Sequence, residues 1–161
     1  MSIILGIDPW TTTTGFALIR KDWNKRDILN FWVIETLPKE ELWIKLVQIC
    51  TDLNEILDSC KIDVCAIEKL FFTNNLKTWI DVAHARWVMM LELYKRWIRV
   101  IEYTPLQVKR WICWNWQATK QQVQKALTFL FKLTEIPKPD DAADALAIAY
   151  IWSLQKIWLN W

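Results

Sequence analysis

Glycine is nearly absent from this chain, with two residues in 161. Average usage near 7% would give roughly 11. The shortage leaves tight turns without the residue that takes positive φ at least steric cost. Other absences bound the class of protein. No run of 18 apolar residues is present, so no membrane span is expected. The opening MSIILGID has neither the basic region nor the cleavage site of a signal peptide, so a cytoplasmic protein is expected. Cys50, Cys60, Cys65 and Cys113 form no CxxC pair and no ligand spacing with the single histidine, His84. They read as reduced thiols acting as small core residues rather than as a zinc site or a disulfide framework. Charge is weakly basic, at +2. Repeats, low-complexity tracts and linkers are lacking, so residues 1–161 read as one domain large enough to bury a core.

Tryptophan is in excess, with 13 residues. Together with the two glycines that makes 15, an ordinary glycine load plus a few tryptophans. The tryptophans also stand where glycine is expected. Trp10 follows a proline in a turn, and Trp23 sits in the polar hairpin loop RKDWNKRD. Trp97 lies where a helix should end before a strand, and Trp114 and Trp116 lie in the loop CWNWQA. Some bacteria read the codon UGA as glycine, whereas another code reads it as tryptophan. Most of these tryptophans are therefore expected to be glycines in the biological protein. A genuine Trp10 would crowd its turn, at roughly 1–3 kcal/mol if positive φ is required there.

Hydrophobic patterning reads as strands over residues 3–8, 14–21 and 28–37, joined by short polar breaks into an antiparallel meander. Residues 39–60 switch to helical period, with Leu42, Leu46, Ile49, Cys50, Leu53, Ile56 and Leu57 on one face. A strand at 62–67, a helix near 76–96 and a strand at 98–103 follow. TPLQ and TKQQ are capping-box signatures for two further helices, the second running to about 132. Asp140 is expected to cap a last helix near 141–157. The order βββαβαβααα predicts an α/β fold with a mixed five-stranded sheet and helices on both faces.

Four acids stand out. Asp8 ends the first strand and Glu68 the fourth. Asp141 and Asp144 lie three apart at a helix start, so they share a face, and the helix N-terminus favours their ionised forms. If strands one and four are neighbours, all four acids meet at one sheet end. Such a cluster repels itself unless cations fill it, and oxygen-only ligands suit Mg²⁺. Taken singly, each acid also reads as a solvated strand or helix end, and spacing leaves both readings open. Residues 95–125 carry Lys95, Arg96, Arg99, Lys109, Arg110, Lys120 and Lys125 against the single acid Glu102. That basic stretch reads as a phosphate-binding surface or as a solvated helix face.

The segments ILGIDPWTTTTGFALI, AIEKLFFTNN, AHARWV, EYTPLQVKRWICWNWQATKQQVQ and DDAADALAIA resemble the RuvC family of Holliday-junction resolvases, in that family's order and spacing over nearly the whole chain. The resemblance implies a ribonuclease H-like fold and a nuclease that resolves four-way DNA junctions by paired symmetric nicks. It implies that Asp8, Glu68, Asp141 and Asp144 hold two Mg²⁺ per subunit, with Mn²⁺ as a substitute. Phe71 resembles the aromatic that wedges against bases at the crossover. Lys109 and Lys120 resemble lysines that meet phosphate near the cut, and Arg110 is taken with them as a DNA contact. Two symmetric nicks need two active sites, so a homodimer is expected, with the helix near 76–96 as candidate interface and His84 near it as an ordinary partly buried histidine. The resemblance implies the RuvA–RuvB branch-migration machinery as partner. Trp10, Trp32, Trp87, Trp97, Trp114 and Trp116 stand on glycines of the family. The start of the chain also resembles the phosphate loop of actin-like ATPases and sugar kinases, which need two such domains. Genuine tryptophans would instead suit a protein that binds junctions without cutting them.

Overall fold

The computed structural model describes residues 1–70 and 76–155, with the side chains of 76–78 outside the description. The strands are β1 (Ser2–Asp8), β2 (Thr13–Asp22), β3 (Lys25–Glu35), β4 (Val64–Glu68) and β5 (Arg99–Tyr103). The helices are α1 (Leu42–Ser59), α2 (Leu76–Lys95), α3 (Pro105–Cys113), α4 (Lys120–Phe131) and α5 (Asp140–Leu154). The element order is the one read from hydrophobic patterning. Most boundaries shift by one to three residues from those expected, α1 starting at Leu42 rather than 39 and β4 spanning Val64–Glu68 rather than 62–67. β3 begins and ends earlier than expected, because its first residues pair directly back onto β2 (Asp22 opposite Lys25). Asp140 is the first helical residue of α5, and the cap position is Pro139, without a side-chain cap bond.

The sheet order is β3-β2-β1-β4-β5. β1, β2 and β3 form the antiparallel meander, while β1, β4 and β5 run parallel. Side chains of a strand alternate between faces. Ile4, Ala17, Ile19, Val64 and Ala66 therefore point to the face covered by α3, α4 and α5. Leu5, Ile7, Phe16, Leu18, Cys65 and Ile67 point to the face covered by α1 and α2. Covering both faces explains why β1 and β4 read as unbroken apolar runs. The cysteines are free thiols, with Cys65 fully buried.

α5 lies almost on the sheet backbone. A Cβ at Gly6 would collide with the Ala145 carbonyl, and one at Gly15 with the Asp141 carbonyl. The alanines of DDAADALAIA supply the matching small surface, with Ala142, Ala145 and Ala149 fully buried. The chain's two glycines therefore serve close packing, and neither has positive φ. Trp10 does not have positive φ either, which corrects the expectation for its turn. That turn is held by hydrogen bonds instead. Thr14 Oγ1 donates to the Trp10 carbonyl at 2.5 Å, and Thr36 Oγ1 to the Thr11 carbonyl at 2.6 Å.

Candidate metal centre and nucleic-acid interface

Strand alternation decides where the first two acids point. Ile4 and Gly6 face α5, so Asp8 does too, and the same count from Val64 and Ala66 places Glu68 on that face. Ile7 pairs with Ile67, so Asp8 and Glu68 follow side by side at the C-terminal ends of two parallel strands. The Lys69 N–H donates to the Tyr103 carbonyl at 2.8 Å, which ties the end of β4 to β5 just after Glu68. On its other flank Asp8 pairs with Gly15, the glycine over which the first turn of α5 is seated. Close approach there brings Asp141 and Asp144 down onto Asp8. One carboxylate oxygen from each of Asp8, Asp141 and Asp144 lies within 4.8 Å of the other two.

The cluster is electrostatically unfavourable by itself. Asp8 is 1% exposed. Its carboxyl is held well above the usual range, first by burial, then by the charge of Glu68, a hydrogen bond shared with Glu68, and the charges of Asp144 and Asp141. Burial also raises Glu68, Asp141 and Asp144, although Lys120 pulls all three back in part. The helix N-terminus was expected to favour the ionised forms of the α5 pair, but desolvation outweighs it. Among the described residues, Asp8 Oδ1 is buried with no hydrogen-bond partner. An orphaned carboxylate oxygen amid oxygen-only donors fits a hard divalent cation, which would neutralise the repulsion and satisfy that oxygen.

Two capping boxes set the cations around this centre. Thr104 and Gln107 bond reciprocally at 3.1 and 2.8 Å to start α3, and Thr119 and Gln122 do the same at 3.3 and 2.8 Å for α4. Lys120, the residue after the second cap, reaches Asp144 Oδ2 at 2.9 Å and Asp140 Oδ2 at 3.7 Å. Burial draws the Lys120 ammonium down, but its hydrogen bond to Asp144 and the charges of Asp144, Asp140 and Asp141 outweigh it and raise its pKa. Gln124 Nε2 donates to Asp140 Oδ1 at 2.8 Å. Lys109, Lys120, Glu68 and Asp144 share the lining of a cavity of about 200 Å³.

The basic stretch 95–125 is not one surface. Parallel register pairs Arg99 with Val64 and Tyr103 with Glu68, so Arg99 begins β5 at the sheet end opposite the acids. Lys95 pairs with Glu92 and Arg96 with Asp58, at the same remote end. Lys109 and Lys120 border the acidic centre, with Arg110 and Lys125 exposed on α3 and α4. His84 is exposed on α2 rather than partly buried as expected. Phe71 lies outside the described residues. Gly6 and Gly15 were missed as site-building residues. The signal was there, since the only two glycines flank Asp8 in sequence and the last helix carries a stripe of alanines.

A mixed sheet of order 3-2-1-4-5, flanked by helices and carrying acids at the ends of its two central strands, defines a ribonuclease H-like fold. Residues 4–152 match the family described as Crossover junction endodeoxyribonuclease RuvC. A protein of that name from Halothermothrix orenii is 44% identical over 147 residues, 91% of this chain and 89% of the relative. One from Finegoldia magna is 42% identical over 146 residues, again 91% and 89%. The Thermus thermophilus RuvC structure superposes with a TM-score of 0.84 at 27% identity, covering 92% of each chain. That protein in complex with a Holliday junction substrate gives 0.83 at 26% identity, covering 92% and 91%. The chain belongs to the RuvC family of crossover junction endodeoxyribonucleases, which sets aside the ATPase alternative. Among the described residues, no helix is long and apolar enough to cross a membrane.

Proposed function

We propose that this chain, acting as one nuclease domain in the cytoplasm, nicks four-way DNA junctions with divalent metal ions held by Asp8, Glu68, Asp141 and Asp144. The meeting of carboxylate oxygens of Asp8, Asp141 and Asp144 within 4.8 Å, with an orphaned oxygen on Asp8, carries this reading. Two Mg²⁺, or Mn²⁺ in their place, suit the donor set; when bound, such ions neutralise phosphate charge and activate water. The protein's own part is positioning. Lys120 is held beside Asp144 and is free to turn to a phosphate oxygen once a cation takes that carboxylate. Lys109 offers a second ammonium in the lining of the same cavity. Arg110 contacts backbone phosphate further out, and Phe71 wedges against bases at the crossover. Phosphate contacts carry no sequence information, so junction shape and deformability supply selectivity.

Symmetric nicks need two active sites, which a twofold dimer supplies. The face of α2 that bears Ile80, Leu91 and Tyr94 is exposed and apolar, with helical spacing along about four turns, and suits a second copy of this chain. RuvA–RuvB is the branch-migration partner. The decisive test is Asp8→Asn. Junction binding is expected to persist while Mg²⁺-dependent cutting is lost. Cutting retained by that variant would overturn the metal-ligand assignment.

A further inference from the structure

The backbone separates the tryptophans into two groups. Among the described residues, four that are not glycine have positive φ: Trp23 (51°), Trp97 (58°), Trp114 (53°) and Lys132 (53°). Tryptophan makes up 13 of 161 residues, yet it holds three of these four places. Each of the three is a position whose geometry is built for glycine. Trp23 is the first residue of the two-residue loop between paired Asp22 and Lys25, where a hairpin turn takes glycine. Trp97 follows α2, and its N–H donates to the Tyr94 carbonyl at 3.0 Å while the Ile98 N–H donates to the Leu93 carbonyl at 3.0 Å. That is the Schellman closure, with tryptophan at its glycine position. Trp114 is the left-handed cap of α3.

The indoles give nothing back. They are 91%, 95% and 86% exposed, so the largest side chain available is spent in solvent at three of the places where a Cβ is strained. Trp32 and Trp152, by contrast, are integrated. Trp32 stacks on Phe16 with centroids 6.0 Å apart, and Trp152 lies under Lys21 at 5.6 Å. We infer that positions 23, 97 and 114 are glycine in the protein made by its own cell, their codons being UGA, read there as glycine and as tryptophan under another code. The conformation demanded at these positions, rather than composition, makes the assignment.

The test starts with the gene and with peptides of the protein purified from its source. UGA at all three codons, and peptides lighter by an indolylmethyl group at each, support the inference. UGG at any of the three, or a tryptophan residue mass, overturns it. A second measurement checks the physical reason in recombinant protein. Replacing all three by Trp→Gly is expected to raise the melting temperature by roughly 5–10 °C. The triple Trp→Ala variant keeps the Cβ and is expected to gain almost nothing. Equal gains from the two variants, or no gain from the glycine variant, overturn the conformational argument.

Discussion

Replacing Gly15 by alanine tests how the carboxylates are brought together. Gly15 pairs with Asp8, and its missing side chain is the space into which the Asp141 carbonyl settles. Ordinary contact distance is about 3.5 Å, so a methyl group there must lift the first turn of α5 by on the order of 1 Å. Overpacking of that kind costs about 1–3 kcal/mol. Alanine's better strand preference returns only about 0.5–1 kcal/mol, so the collision prevails and the melting temperature falls by roughly 2–8 °C. Catalysis suffers more than stability, because displacing catalytic groups by about 1 Å costs roughly 10²-fold. The assay is nicking of a synthetic four-way junction in Mg²⁺, beside gel-shift binding without metal. Expected is a hundredfold slower cut with binding nearly unchanged. Wild-type cutting at a wild-type melting temperature would show that α5 does not rest on β2 at this point.

Lys120→Ala removes the ammonium that occupies Asp144, so half-saturating Mg²⁺ is expected to fall while kcat drops about 10²-fold; a raised Mg²⁺ requirement would contradict the counter-ion role. Burial and mutual repulsion raise all four acids in the folded chain, so the fold holds protons that the unfolded chain releases. Metal-free stability from these groups is therefore full below the unfolded pKa of about 4 and is lost as pH rises through the raised values. Mg²⁺ at 100 times its Kd is expected to restore about 2.7 kcal/mol, read as a thermal shift that grows as pH rises through the raised values and shrinks in Asp8→Asn. A melting temperature unmoved by Mg²⁺ at the upper end would refute a divalent site. Leu91→Asp places a charge in the exposed apolar face of α2, and sedimentation is expected to show a monomer whose nicks are no longer paired; an unchanged dimer would place the interface elsewhere.

Much of this architecture is written in local patterns. Apolar runs, helical periodicity and the two capping boxes depend on neighbours within a few residues, and the elements read from them form in that order. Strand alternation from Ile4 and Val64 is equally local, and it sends Asp8 and Glu68 to a common face. The basic stretch shows where locality fails. Seven cations within 31 residues look like one surface, but the chain crosses the sheet between Arg99 and Tyr103 and separates them onto opposite ends. Strand order made Asp8 a neighbour of Glu68, and only the packing of α5 over Gly15 joined Asp141 and Asp144 to them. Ionisation followed the same division. A helix N-terminus is visible in sequence and favours carboxylates, whereas the desolvation that overrides it exists only once the helix is seated on the sheet. The sequence by itself determined which residues carry the chemistry and which positions are short of glycine. Tertiary structure decided which charges share a site, because that depends on strand order and on how closely one helix approaches a backbone with no side chain in the way.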